Sequence, residues 1–210
     1  MYKLKPIAER IYREIFTNKN LDHMRKYKNV QGGFIDISEY FDILPKNSYI
    51  YMILNISQKR KNHCCCFDKI AVGATIELNI WRKNFLQTNR RKMETDIINV
   101  LIHEFTHALD HIITNGKADA KYKAQNKIET KEYVLDPMEV NAYIHEIASL
   151  KNLYKKVKNY EAFEDIIVVN ISALFDARYI LSKKDWLEVR KVYLKRMARE
   201  NILPKCLTKN

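Results

Sequence analysis

The sequence predicts an α+β fold: an N-terminal helix and a small, mostly antiparallel sheet, then a helix with a polar stripe and a helical C-terminal part. Three observations carry that expectation. Residues 32 to 81 fall into short runs rich in β-branched and aromatic side chains, whereas from about 92 onward apolar residues recur at helical spacing. The 210 residues contain only four Gly and four Pro, which argues against long linkers.

The elements follow in order. Residues 3 to 28 read as a helix, with Ile7, Ile11 and Ile15 on one side. The texture changes at "GGF", residues 32 to 34. "FIDIS", "SYIYMILNIS" and "CCCFDKIAV" read as strands separated by the turn-like "LPKN" and "KRKN". In "GATIELNIW", Ile76, Leu78 and Ile80 alternate with Thr75, Glu77 and Asn79, the pattern of a half-buried strand with one polar face. Residues 92 to 114 read as a helix closed by Asn115 and Gly116 at its C-cap. A polar, Lys-rich stretch runs to Asp136, which caps a helix opening with Pro137 in "DPMEVNAYIHEIASLKNLY". Two more helices are expected near 160 to 181 and 185 to 200.

Composition narrows the class. With 47% hydrophobic and 30% charged residues the chain reads as soluble and globular, and no apolar run approaches the roughly 18 residues of a transmembrane helix. The charged N-terminus does not resemble a secretory signal, so an intracellular (cytoplasmic) or virion-associated location is expected. Cys64, Cys65, Cys66 and Cys206 lack the spacing of a zinc ribbon and are expected to be free structural thiols. On a strand, Cys64 and Cys66 share one face, and His63 and Cys65 share the other. The net charge of +12 is spread over residues 59–61, 90–92, 117–131 and the last helix, with Arg190, Lys191, Lys195, Arg196 and Arg199. Such a surface suits nucleic acid or an acidic partner, or is a solvated face without a partner.

The chemistry is concentrated in "HEFTH". On a helix, His103 and His107 project from one side about 6 Å apart along the axis, so two imidazoles can reach one ion. Ile97, Leu101, Phe105, Ala108 and Ile112 form the opposite, anchoring stripe, which leaves the histidines to face a cleft. Glu104, beside them, is the candidate catalytic base, accepting a proton from metal-activated water. Zinc needs a third protein ligand. Asp110 and Ile113 exclude the metzincin pattern, which has Gly and His at those positions. Glu139, on the apolar face of the next helix, is the candidate, although at N3 it could instead complete a capping box with Asp136. His145 points away from that face. His111 and Asp119 are next in line as ligands, and Glu146 could accept a hydrogen bond from a ligand histidine.

"HEFTH" followed by "DPMEVNAYIHEI" resembles a gluzincin-type zinc metallopeptidase, most closely the short phage and bacterial zincin-like proteins of the ImmA/IrrE type. The resemblance covers about residues 73 to 150. It implies a zincin-like metallopeptidase domain over 1–155 with a helical extension over 156–210, Zn²⁺ as cofactor, and a protein or peptide as substrate. It also implies that a strand such as Thr75, Ile76, Glu77, Leu78 and Asn79 pairs with that substrate. Where the thermolysin pattern has Asp four residues after the ligand Glu, this chain has Tyr143, which leaves the oxyanion donor open between Tyr143 and Tyr133. A zinc-dependent endopeptidase is therefore the expected function. The alternative is a basic, nucleic-acid-associated or virion protein that keeps the scaffold without peptidase activity.

Overall fold

The computed structural model describes residues 1–16, 30–57, 59, 64–67, 72–81, 89–118, 130–204 and 207. Among them are eight α-helices and one four-stranded mixed sheet, so the α+β layout holds. No helix among the described residues is long and apolar enough to cross a membrane. The chain divides into two compact units, Tyr2–Ala120 and Lys121–Asn210, the latter together with Met1.

The first unit opens with helix α1 (Leu4–Ile15), which buries Leu4, Ala8, Ile11 and Tyr12 at helical spacing and leaves Ile7 and Ile15 at the margin. Strands β1 (Val30–Asp36), β2 (Tyr49–Ser57), β3 (Cys64–Phe67) and β4 (Gly73–Trp81) stand in the order β1-β2-β4-β3. Both outer pairings are antiparallel, but the central β2–β4 pair is parallel, in continuous register from Tyr49 opposite Gly73 to Ser57 opposite Trp81. That register aligns Ile50, Met52, Leu54 and Ile56 with Ala74, Ile76, Leu78 and Ile80 on one buried face. α1 packs on helix α2 (Arg90–Ile113), which in turn packs on β3 and β4.

The second unit is helical: α3 (Lys131–Val134), α4 (Pro137–Ser149), α5 (Lys151–Tyr154), α6 (Tyr160–Asn170), α7 (Ser172–Ile180) and α8 (Lys183–Arg199). The single helix expected from 136 to 154 breaks at Leu150, and that expected from 160 to 181 breaks at Ile171. Both breaks turn apolar side chains inward, since Leu150 and Ile171 are buried in the unit's core. Tyr143, Ile144 and Ile147 of α4 share that core with Phe163, Leu174, Val189 and Tyr193. α4 belongs to the same compact unit as the C-terminal helices. The Tyr193 hydroxyl donates to the Val134 carbonyl at 2.9 Å, and Lys131 pairs with Asp185 at 3.0 Å and with Glu188, tying α3 to α8. Residues 17–28, His63, Asp119, Cys206 and most of the basic runs at 59–61 and 117–131 lie outside the described residues.

Gly73 shows how tightly the parallel pair is set. A Cβ there would meet ring atoms of Tyr49, its cross-strand partner, at 2.1 Å, and Tyr49 is itself held against Tyr51 at 4.9 Å between ring centroids. Gly73→Ala is expected to cost about 1–3 kcal/mol by overpacking. In a Tyr49→Ala background the same substitution should be close to neutral in denaturant titrations, whereas equal costs in both backgrounds would remove the ring contact as the cause.

Candidate metal centre

α2 is fixed at both ends by local chemistry. The Asn89 side chain accepts from the Arg91 amide at 2.9 Å. At the other end Asn115 takes a left-handed φ of 51°, its amide donates to Ile112, and the Gly116 amide donates to His111 at 2.8 Å, a Schellman closure at the expected Asn-Gly. The expected stripe of Ile97, Leu101, Phe105, Ala108 and Ile112 is buried, with Phe105 edge-on to Phe41 at 5.0 Å. The opposite side is not an open wall. Ile98, Ile102 and Leu109 widen the apolar face, and Glu104 and His107 are each only 7% exposed, with His103 half-buried.

Polar groups on such a helix must be satisfied within the protein. Thr106 donates to the Ile102 carbonyl at 2.8 Å, and Asp110 accepts the Tyr2 hydroxyl at 2.9 Å; burial first, then the Asp110 charge and this bond, holds the Tyr2 phenol well above its ordinary pKa. His111 stacks on Phe67 of β3, with centroids 4.4 Å apart and planes 12° from parallel. Thr106 and Asp110 thus have hydrogen-bond partners, and His111 has a ring contact. His103 and His107 instead face each other, with Nε2 to Nε2 at 3.0 Å. Two ligands on tetrahedral Zn²⁺ lie about 3.4 Å apart at the usual zinc–nitrogen distance, so a small opening of this pair accommodates the ion. Glu104 lies on the same turn, between the two histidines in sequence.

In the second unit, Asp136 accepts from the Met138 amide at 3.0 Å and so caps α4. A capping box would also need Glu139 to take the Asp136 amide, but that amide donates to the Tyr133 carbonyl at 3.0 Å. The cap therefore does not account for Glu139, which is 1% exposed. Burial first, then the charges of neighbouring groups, raises the phenols of Tyr143 and Tyr193 well above 10; Glu139, Glu146 and Tyr133 are among those neighbours for both. Glu139 and Glu146 of α4 thus share a neighbourhood with Tyr133, Tyr143 and Tyr193. His145, also buried, places Nδ1 2.9 Å from the Asn141 carbonyl.

The strand expected to pair with substrate is an interior one. Thr75, Ile76 and Glu77 of β4 are bonded to β2 on one side and to β3 on the other, and Asn79 accepts from the Asn55 side chain at 3.1 Å across the β2–β4 pair. Alternation in "TIELNI" marks a strand with one buried face, and that pattern is the same at an edge and inside a sheet. The edge on this side belongs to Cys64–Phe67, held against α2 by the Phe67–His111 stack.

The chain matches no known protein family, no curated protein and no solved structure. Its chemistry rests on its own side chains. A group that sequence reasoning passed over is Cys64, Cys66 and Glu77, whose sulfur and oxygen atoms lie within 4.8 Å of one another. Both cysteines are free thiols, Cys66 exposed and Cys64 half-buried. Burial and then the charges of Cys66, Glu77 and Glu104 push the Cys64 thiol up to about 12. The signal lay in the i, i+2 spacing on a strand, but the Glu77 partner depends on β3–β4 register, which no local pattern encodes.

The cap geometry separates Asp136 from Glu139. In metal-free protein, Asp136→Ala should cost about 1 kcal/mol through the lost N-cap. Glu139→Gln should be neutral or stabilising, because it removes a buried charge without removing a cap bond. Thermal and urea unfolding in chelator would test this, and an equal loss in both variants would return Glu139 to the helix terminus.

Proposed function

We propose that this chain is a zinc-dependent endopeptidase. The observation that carries the reading is the convergence of His103 and His107, Nε2 to Nε2 at 3.0 Å, on a buried helix that also carries Glu104. His103, His107 and Glu139 would hold Zn²⁺. Glu139 is supported by its burial as a carboxylate and by the hydrogen bond that takes the capping amide away from it. Bound zinc supplies Lewis acidity, which makes water a nucleophile at neutral pH and polarises a peptide carbonyl.

The remaining steps belong to the chain. Glu104 takes the proton of the attacking water and delivers it to the departing amine. Tyr143, whose phenol keeps its proton far above neutral pH, is the proposed donor to the carbonyl oxygen as charge builds on it, with Tyr133 the second candidate. An extended substrate adds to the outer edge of β3, Cys64–Phe67, rather than to β4. Cys64, Cys65 and Cys66 are free thiols, which supports a reducing setting, in a cell or a virion.

A second reading, attachment to nucleic acid, is favoured by α8. Lys184, Lys191, Lys195 and Arg199 are all exposed along that one helix. Affinity for duplex DNA that falls by orders of magnitude between about 50 and 200 mM salt would support it. No binding at low salt would leave the charge as a solvated face.

The enzymatic reading makes separable demands. Glu104→Gln should keep zinc after dialysis while hydrolysis of a denatured protein substrate falls at least about 100-fold, the lower end of what a general base supplies. Glu139→Ala should lose zinc to a weak chelator, and His145→Ala should keep it. Unchanged turnover in Glu104→Gln would end the assignment of the base, and zinc loss confined to His145→Ala would move the third ligand.

A further inference from the structure

A second set of ligating atoms lies on the sheet, built entirely within the first unit. In β3, residues two apart share a face, so Cys64 and Cys66 point the same way while Cys65 turns in against the core. Antiparallel pairing puts Glu77 of β4 directly opposite Cys64, and Thr75 opposite Cys66. Two sulfurs and a carboxylate oxygen are thereby gathered within 4.8 Å of one another, at a place open to solvent through Cys66. A tetrahedral zinc with two sulfur ligands and one oxygen ligand needs donor separations of roughly 3.6 to 3.8 Å, from metal–sulfur and metal–oxygen bonds of about 2.3 and 2.1 Å. Rotamer adjustment of exposed and half-buried side chains covers that difference.

We propose that Cys64, Cys66 and Glu77 form a cation site for a soft divalent ion, Zn²⁺ or Cd²⁺, with two thiolates, one carboxylate and a solvent molecule as ligands. Thiolate donors select soft metals over Mg²⁺ and Ca²⁺. On binding, two S–H bonds are exchanged for two sulfur–metal bonds and both protons pass to solvent. A disulfide is the competing fate of two close thiols. It is disfavoured here because an extended strand sets residues two apart at about 6.6 to 6.8 Å between Cα atoms, the far limit of disulfide geometry.

Cd²⁺ tests the proposal, because its ultraviolet charge-transfer band reports thiolate ligands and is silent for imidazole and carboxylate. The full-length reduced protein should develop that band to saturation at one equivalent and protect two thiols from alkylation. Cys64→Ser/Cys66→Ser should abolish the band, while Cys65→Ser and His103→Ala keep it. Glu77→Gln should weaken Cd²⁺ by at least about tenfold, the smallest loss usual for removing a supporting partner. Because His103→Ala is among the variants, failure at the histidine pair and failure at the thiols give different results. A wild-type protein without the band, a band that survives the double Ser variant, or a Cys64–Cys66 disulfide found under these conditions would each overturn the site.

Discussion

Water is nearly excluded from α2 between Ile97 and Ile112, and that exclusion decides what the polar residues there can be. An exposed helix may carry His, Glu and Asp at no cost, since solvent satisfies them. Here Glu104, Thr106, His107 and His111 are buried, so each must find its partner within the protein. Thr106 turns to its own backbone, Asp110 binds Tyr2, and His111 lies flat on Phe67. Beside them, the pair at 103 and 107 brings its two imidazoles together, Nε2 to Nε2 at 3.0 Å. Burial also strengthens any charge interaction made there, because the local dielectric is far below that of water.

Local chemistry was legible in the sequence and non-local pairing was not. Asn115–Gly116 and Asp136–Pro137 announced a helix end and a helix start through backbone preferences that act over a few residues. The alternation of β2 and β4 gave their buried faces. Parallel pairing of those two strands, and the placing of β4 inside the sheet instead of at its rim, depend on which strands meet, which a two-residue period cannot encode. The breaks at Leu150 and Ile171 carry no Gly or Pro. They follow from the packing of short helices around Phe163, Leu174 and Tyr193, a tertiary demand that overrides helical propensity. For the candidate site, the two histidines and the glutamate between them could be read from spacing, whereas the missing half of a capping box at Glu139 required seeing where one backbone amide goes.

Charge is distributed by the same logic. The acidic groups Glu104, Glu139 and Glu146 are inside, whereas much of the basic excess lies on the solvent face of α8. Lys131 joins α3 to Asp185 and Glu188 of α8, and Arg178 ties α7 to Asp165 of α6. A net charge of +12 therefore describes the surface and says little of the interior.

The two rims of the sheet are both blunted. β1 is interrupted by an irregularity between Gln31 and Phe34, and β3 is only four residues long. Every second residue of an edge strand turns its amide and carbonyl outward, so β3 offers a newcomer about two residues' worth of backbone bonds. A rim that short can align one extended peptide yet gives two copies of the chain little to gain by adding sheet to sheet along the described strands, although the neighbouring strands are strongly apolar.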